Sequence, residues 1–425
     1  MLTVQGVKAI ARRWALRRAR RAEQAGDLDG ASAALGRAAG LDPSNARLQF
    51  RLGRVLERSC RWEAAAEAYR AAVALDGGRA GWQFRLGRVL ERSRRWEAAA
   101  EAYRAAIALD DAVQHWHGRL ARVLRRLGDT DGVAHVTATM RECEPGMSPV
   151  EQRLLAADPE HFEARRYLVA FVTAHLDEIH ERAVHAQPAS AEAPYRVWVY
   201  WGQGMAEAPP VVRRCHMELI RHHGADEVVV LDDDAIDRYA DIPGYVHDRT
   251  RNSRTKFSDV LRLDLLARHG GVWLDATCLV RENMIAMLPD LLSSGFFAPR
   301  YRTARISSWF MASPPGHRVI EALRWAQIIY WRHHDRPIDY YVLHHLFEAL
   351  SHLHPEVTAC CQNMPWMSSQ RLTRFKDRML KPYDADRFRT LLDVAPVHKL
   401  TYKISPEVDT GGTMLDHLLR TGAPH

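Results

Sequence analysis

The densest set of reactive side chains in the 425-residue sequence lies in the window Lys256–Val280, KFSDVLRLDLLARHGGVWLDATCLV. Helical periodicity over Lys256–Arg268 gathers Phe257, Val260, Leu261 and Leu265 on one face, and places Asp259 and Arg262 with Leu263 and Leu266 on the other. Apolar residues on both faces predict a helix buried on both sides. A carboxylate and a guanidinium there require partners: each other, a ligand or the backbone. Gly270-Gly271 then supply a left-handed stop leading directly into a buried strand, Val272–Leu274, with Asp275 at its end and Ala276 and Thr277 following. Ligands of open α/β sheets bind at the carboxyl ends of strands. Asp275 is therefore either a structural carboxylate or one placed to hold a divalent cation bridging phosphates. So few oxygen ligands suit Mg2+ or Mn2+ completed by phosphate and water.

Other candidates read less clearly. A strand at Val197–Tyr200 runs into Trp201-Gly202-Gln203-Gly204, and a helix and second strand end at Asp232-Asp233-Asp234, as in a dinucleotide-binding unit. The third glycine position is Glu207, however, and Ala208-Pro209-Pro210 follows. An acid there repels a pyrophosphate at the helix start, which argues against an NAD site. Gly202 still permits close backbone approach. Asp232–Asp234, just before Ala235-Ile236, reads better as a helix cap than as a metal site. The pairs His222-His223, His333-His334 and His344-His345 diverge by about 100° on a helix and lack an i, i+4 set, so they are not read as metal ligands.

The elements that must position these residues come in two kinds. From residue 195 onward, short β-branched or aromatic runs (Val197–Tyr200, Val228–Leu231, Val272–Leu274, Trp309–Met311) alternate with helical windows (Val211–His223, Lys256–Arg268, Arg318–Trp331, Tyr340–Leu353). That alternation predicts an α/β domain with a largely parallel sheet. Upstream, Gln49–Asp76 recurs at Gln83–Asp110 with a shift of 34 residues, and only Cys60/Arg94 and Val73/Ile107 differ. The period is that of tetratricopeptide (TPR) repeats, whose helix pairs stack because neither covers its apolar face alone. The expected organisation is TPR-like helical repeats over 1–147, a helical connector over 148–187, a proline-bounded linker over 188–194 and an α/β domain over 195–425. The repeat stack suits a protein partner or self-association.

Composition narrows the classes. Hydrophobic residues are 47% and charged residues 26%, as in an ordinary globular chain rather than a disordered one. Apolar runs such as Val228–Leu231 fall far short of a membrane span. Lys and Arg number 59 against 52 Asp and Glu, and five of the seven net positive charges fall within residues 1–50, nine basic against four acidic. The remainder is nearly balanced, so nucleic-acid binding gains no support. The stretch Lys8–Arg21 reads as the solvated face of a first helix, with peripheral contact to an anionic membrane as the alternative. Six scattered cysteines without a Cys-x-x-Cys suit free thiols in a reducing, cytoplasmic compartment.

The segment FSDVLRLDLLARHGGVWLDAT resembles the signature Ser-Asp-x-x-Arg, then Gly-Gly-[Val/Ile]-[Trp/Tyr]-[Ile/Leu]-Asp, of a glycosyltransferase superfamily that includes capsular polysaccharide synthesis proteins, initiating α-mannosyltransferases and glucosylating toxins. The capsular group is the best match, because Tyr200–Gly204, Asp241–Pro243, Trp273–Thr277 and His398–Lys403 resemble its blocks in order. The resemblance covers roughly residues 195–403. It implies a GT-A fold, a nucleotide-sugar donor such as a UDP-sugar, a glycan acceptor and retention of configuration. By the same resemblance Asp259 and Arg262 touch the donor sugar and its phosphates, and Asp275 opens a metal motif. Thr277 stands where the family's second aspartate would be, which implies weak or dispensable metal binding. Trp201, beside Gly202, would stack on the nucleobase. His398 and Lys399 would neutralise the departing diphosphate, while Asp339 and Tyr340 either meet the acceptor or, for Asp339, cap a helix. A catalytically inactive repeat adaptor that only binds a nucleotide-sugar or glycan is the alternative.

Overall fold

The structure, a computed structural model, describes residues 4–111, 113–142, 147–187, 194–302, 305–405 and 408–423. The expected linker, apart from Pro194, and Cys143 lie outside them. The chain divides into two units, Met1–Arg166 and Tyr167–His425, a division that falls inside the helix Phe162–Ala174.

The first unit is all helical: α1 (Val4–Gln24), α2 (Leu28–Leu41), α3 (Ala46–Arg58), α4 (Trp62–Leu75), α5 (Ala80–Arg92), α6 (Trp96–Leu109), α7 (Gln114–Leu127) and α8 (Thr130–Glu142), followed by Pro149–Ala157. The 34-residue period runs further than the two near-identical copies. Gly26, Cys60, Arg94 and Gly128 are spaced by it, and all four have positive φ, at 75°, 59°, 60° and 78°. Each is followed by an amide that reaches back across the helix end, such as Arg61 N to Leu56 O at 3.0 Å and Arg95 N to Leu90 O at 2.9 Å. These are Schellman turns, which favour glycine because a Cβ crowds the left-handed conformation.

Stacking of successive pairs uses the same period. Glu23, Glu57 and Glu91 each bond an arginine 28 residues on, Arg51 at 2.8 Å, Arg85 at 3.1 Å and Arg119 at 3.4 Å. Within a pair, Glu57 and Glu91 also accept from the hydroxyls of Tyr69 at 2.7 Å and Tyr103 at 2.8 Å. Phe50 stacks on Trp82 and Phe84 on Trp116, with centroids 4.7 and 5.3 Å apart. Gly53 and Gly87 lie so close beneath Tyr69 and Tyr103 that an added Cβ would meet each ring at 2.6 Å.

In the second unit β1 (Val197–Tyr200), β2 (Val228–Leu231), β3 (Gly271–Leu274) and β7 (Phe310–Ser313) form one sheet in the order β2-β1-β3-β7. β1 is parallel to both β2 and β3, and β7 closes the edge antiparallel to β3. β4 (Cys278–Val280) pairs with β8 (Val397–Lys399), and β5 (Arg300–Arg302) with β6 (Arg305–Ile306), both antiparallel. The strands of the main sheet are almost wholly buried, which explains why they read as unbroken apolar runs. The helices Pro210–His223, Arg254–His269, Arg318–His333 and Val342–Leu353 occupy the expected windows. Helix Arg254–His269 is buried on both faces, from Lys256 to Ala267 with only Ser258 half-open. Its turn into β3 takes Gly270 and Gly271 at φ 66° and 95°, and a side chain at Gly271 would strike the Arg196 carbonyl.

Cys60, Cys215, Cys278, Cys360 and Cys361 are all unbridged. Among the described residues no helix is long and apolar enough to cross a membrane.

Replacing the strained turn residues should stabilise the repeats: Cys60→Gly and Arg94→Gly are each expected to raise the unfolding free energy in urea by about 1 kcal/mol. Gly53→Ala should lower it by about 1–3 kcal/mol through overpacking against Tyr69. Glycine variants no more stable than the parent would show that the left-handed turns carry no strain.

Candidate functional site

The order β2-β1-β3 means that the chain leaves β1 for one neighbour and returns to its other side, so a crevice opens between the carboxyl ends of β1 and β3. A cleft of about 630 Å³ lies there. Residues 200–203 line it at the end of β1, 275–277 after β3 and 399–403 at the end of β8, joined by Ser258, Arg262, Tyr340, Lys376, Arg251 in a turn and Arg254 at the start of helix Arg254–His269.

Asp275 sits at the centre of a bonded cluster. Lys399 Nζ donates to its Oδ2 at 2.6 Å, Trp273 Nε1 donates to its Oδ1 at 3.1 Å, and Arg262 lies 3.5 Å from Oδ1. Burial alone would raise the Asp275 carboxyl, but the Lys399 ammonium and the Arg262 guanidinium outweigh it and hold the carboxyl down at about 2. Arg262 is almost fully buried and spends its donors on protein: Ser258 O at 2.9 Å, Ser258 Oγ at 3.0 Å, Ser308 O at 2.5 Å and Asp259 at 3.3 Å. Its guanidinium also lies over the Trp273 ring, 5.0 Å from the centroid. Asp259, behind it, faces Lys256 at 3.7 Å as well. Burial raises the Asp259 carboxyl and lowers the Lys256 ammonium, each against the pull of the opposite charge.

The predicted residues thus divide. Trp201, Gly202, Arg262, Asp275, Thr277, Tyr340 and Lys399 line one cleft, although they come from segments up to 200 positions apart. Asp259 does not line it and acts by holding Arg262 and Lys256. His398 is not brought to it. β8 pairs Lys399 with Cys278 and His398 with Leu279, and successive side chains of a strand face opposite sides. His398 is fully buried, with Nε2 against Leu392 O at 2.8 Å, and burial lowers its pKa. Asp339 does not line the cleft; its Oδ1 accepts from Tyr341 N at 2.6 Å in a turn ahead of helix Val342–Leu353 and lies 3.5 Å from His345 Nε2, while that helix has Tyr341 as its N-cap and no side-chain cap bond. Asp232 likewise caps a turn, accepting from Ala235 N at 3.0 Å.

Several site residues escape the sequence reading. Asp233 bonds the Tyr200 hydroxyl and holds Arg254 at 2.7 Å, fixing a guanidinium at the cleft mouth. Gly202 is required beside this network, since a Cβ there would meet Arg254 Nε and Tyr200 Oη at 2.7 Å. Tyr402 stands edge-on to Trp201 with centroids 5.2 Å apart, and Trp201 Nε1 is buried with no hydrogen-bond partner. The basic run Arg249, Arg251, Arg254, Lys256 was a legible signal for the first group, while Lys376 lies in the turns that follow the short helix Ser369–Leu372, with no motif around it.

A divalent cation fits this donor set poorly. Among the described residues Asp275 is the one carboxylate lining the cleft, both its oxygens are engaged, and Thr277 offers only a neutral hydroxyl. A dication bound to Asp275 would also sit beside Lys399 and Arg262. At an effective dielectric of about 20, two unit charges about 4 Å apart repel by about 4 kcal/mol, and a dication doubles this.

The chain belongs to the family of capsular polysaccharide synthesis proteins, which it matches over residues 153–418. Residues 16–80 and 84–132 match tetratricopeptide repeats. No curated protein matches the sequence. Similar solved structures include a crystal structure of MamA protein, 20% identical, covering 42% of this chain and 98% of that one with a TM-score of 0.32. A second MamA crystal structure is 21% identical, covers 39% and 97%, and has a TM-score of 0.30. Scores this low do not define a fold.

Because its folded-state pKa is depressed, Asp275 contributes stability above its unfolded value near 3.9 and loses it as pH falls towards 2. Between about pH 4 and 2, wild type should therefore lose roughly 2 kcal/mol more than Asp275→Asn in denaturant titrations. Parallel pH profiles for the two proteins would contradict the pairing.

Proposed function

We propose that the second unit is a GT-A glycosyltransferase that moves a sugar from a nucleotide-diphosphate donor, a UDP-sugar by preference, to a glycan acceptor in capsular or cell-surface polysaccharide synthesis. The observation that carries this reading is the cleft itself: at the carboxyl ends of β1 and β3, a carboxylate and two cations meet in a cleft that an aromatic pair also lines. Membership of the capsular polysaccharide synthesis family supports it.

In this reading the bond from the anomeric carbon to the diphosphate oxygen breaks, the acceptor oxygen takes its place, and the acceptor proton leaves with the diphosphate. The negative charge that develops on the leaving oxygen is met by Lys399, with Arg262 behind it, so the protein supplies positioning and charge compensation. Trp201 and Tyr402 give the nucleobase an aromatic wall. Tyr340, 63% exposed in the cleft lining, faces the acceptor. Asp275 orients Lys399 and Arg262 towards the donor.

A screen of nucleotide-sugars by thermal shift, followed by turnover measurements with candidate glycans, tests the assignment. Asp275→Ala and Lys399→Ala should each lower turnover at least about 100-fold, as for loss of a charge-stabilising donor. Saturable donor binding without hydrolysis or transfer under any acceptor would overturn it in favour of a binding adaptor.

A further inference from the structure

Among the described residues the cleft is lined by six cationic side chains, Arg251, Arg254, Arg262, Lys376, Lys399 and Lys403, against the single carboxylate of Asp275. Three of the six are already partnered: Lys399 and Arg262 by Asp275, and Arg254 by Asp233. Arg251, Lys376 and Lys403 have no ion-pair partner among the described residues, and they come from three separate segments that converge on one opening. Deeper in, Lys256, Arg262 and Lys399 face Asp259 and Asp275, with Asp339 also acting on Lys256, so the buried cluster is near balance and the cationic excess lies at the rim. Such a surface repels a free dication and attracts an anion carrying two or more charges.

We propose that this cleft binds the diphosphate group of its ligand without a divalent cation, the lysine and arginine side chains supplying the positive charge that a metal would otherwise bring. Lys399 is the central member. It stands 2.6 Å from the carboxylate that would be the metal's anchor, in the place a cation bound to Asp275 would occupy. Its ammonium has three donors and Asp275 takes one, so two remain for phosphate oxygens. Lys376 and Lys403 add further positive charge to the cleft lining, and Arg254, paired with Asp233, adds a planar donor suited to a phosphate edge.

The inference rests on the donor-site reading above, and titration calorimetry separates the two. The full chain is titrated with UDP, GDP, ADP and inorganic pyrophosphate, once in EDTA and once with excess Mn2+. At least one nucleoside diphosphate is expected to bind in EDTA, with its affinity changed less than about threefold by Mn2+ and weakening as salt rises. Lys399→Ala should weaken binding in EDTA by at least roughly tenfold, and Mn2+ should restore part of it, because Asp275 is then free to coordinate. Lys376→Ala and Lys403→Ala, at solvent-accessible positions that leave the core intact, should each cost a smaller, salt-sensitive factor. Binding that appears only with Mn2+ would overturn the proposal and leave the donor site standing. Absence of binding by every probe in both conditions would overturn the proposal and the donor site together.

Discussion

The contact between Lys399 and Asp275 joins the two ends of the second unit's chemistry. A strand that arrives more than a hundred residues after the carboxylate delivers the ammonium that balances it. Without that ammonium, Asp275 would be a partly buried carboxylate with Arg262 as its one cation beside the Trp273 indole, and Arg262 is already committed to Ser258, Ser308 and Asp259. The β4–β8 pairing that carries Lys399 is therefore as much a part of the cleft as the main sheet. The register that brings Lys399 in also turns His398 out.

Rigidity in the cleft is graded. Its floor is built from Arg262, Trp273 and Asp275, whose polar atoms bond one another and the backbone, so their geometry is set before any ligand arrives. Its rim is built from arginine and lysine side chains of turns and of one helix start, of which, among the described residues, Arg254 alone has an ion-pair partner. A site of this kind holds a fixed reaction centre beneath adaptable charge. That arrangement suits a ligand with one invariant polar group and variable surroundings.

Much of this was legible in the sequence because buried strands and a twice-buried helix leave unmistakable apolar runs, and the Gly270-Gly271 turn ties them into one signature. The helices and strands of the main sheet fall where periodicity puts them, and seven of the residues singled out share the cleft. What was not legible depends on the third dimension. Adjacent residues such as His398 and Lys399 look equivalent until a strand register sends them to opposite faces. Asp339 could be told from a ligand-facing acid only by finding its oxygen on the Tyr341 amide. Asp233, read with its neighbours as a cap, instead clamps an arginine 21 residues on, because the fold brings two loops together.

The repeat unit carries a consequence of a different kind. Its inter-pair bonds join each glutamate to an arginine 28 residues further on, and the same turn recurs every 34 residues. Removing residues 61–94 would bring Arg119 to that distance from Glu57 and leave one Schellman turn where there had been two. Every remaining contact would have a chemically equivalent partner. The array is thus modular in its length, able to shorten or grow by whole units without redesigning a single interface.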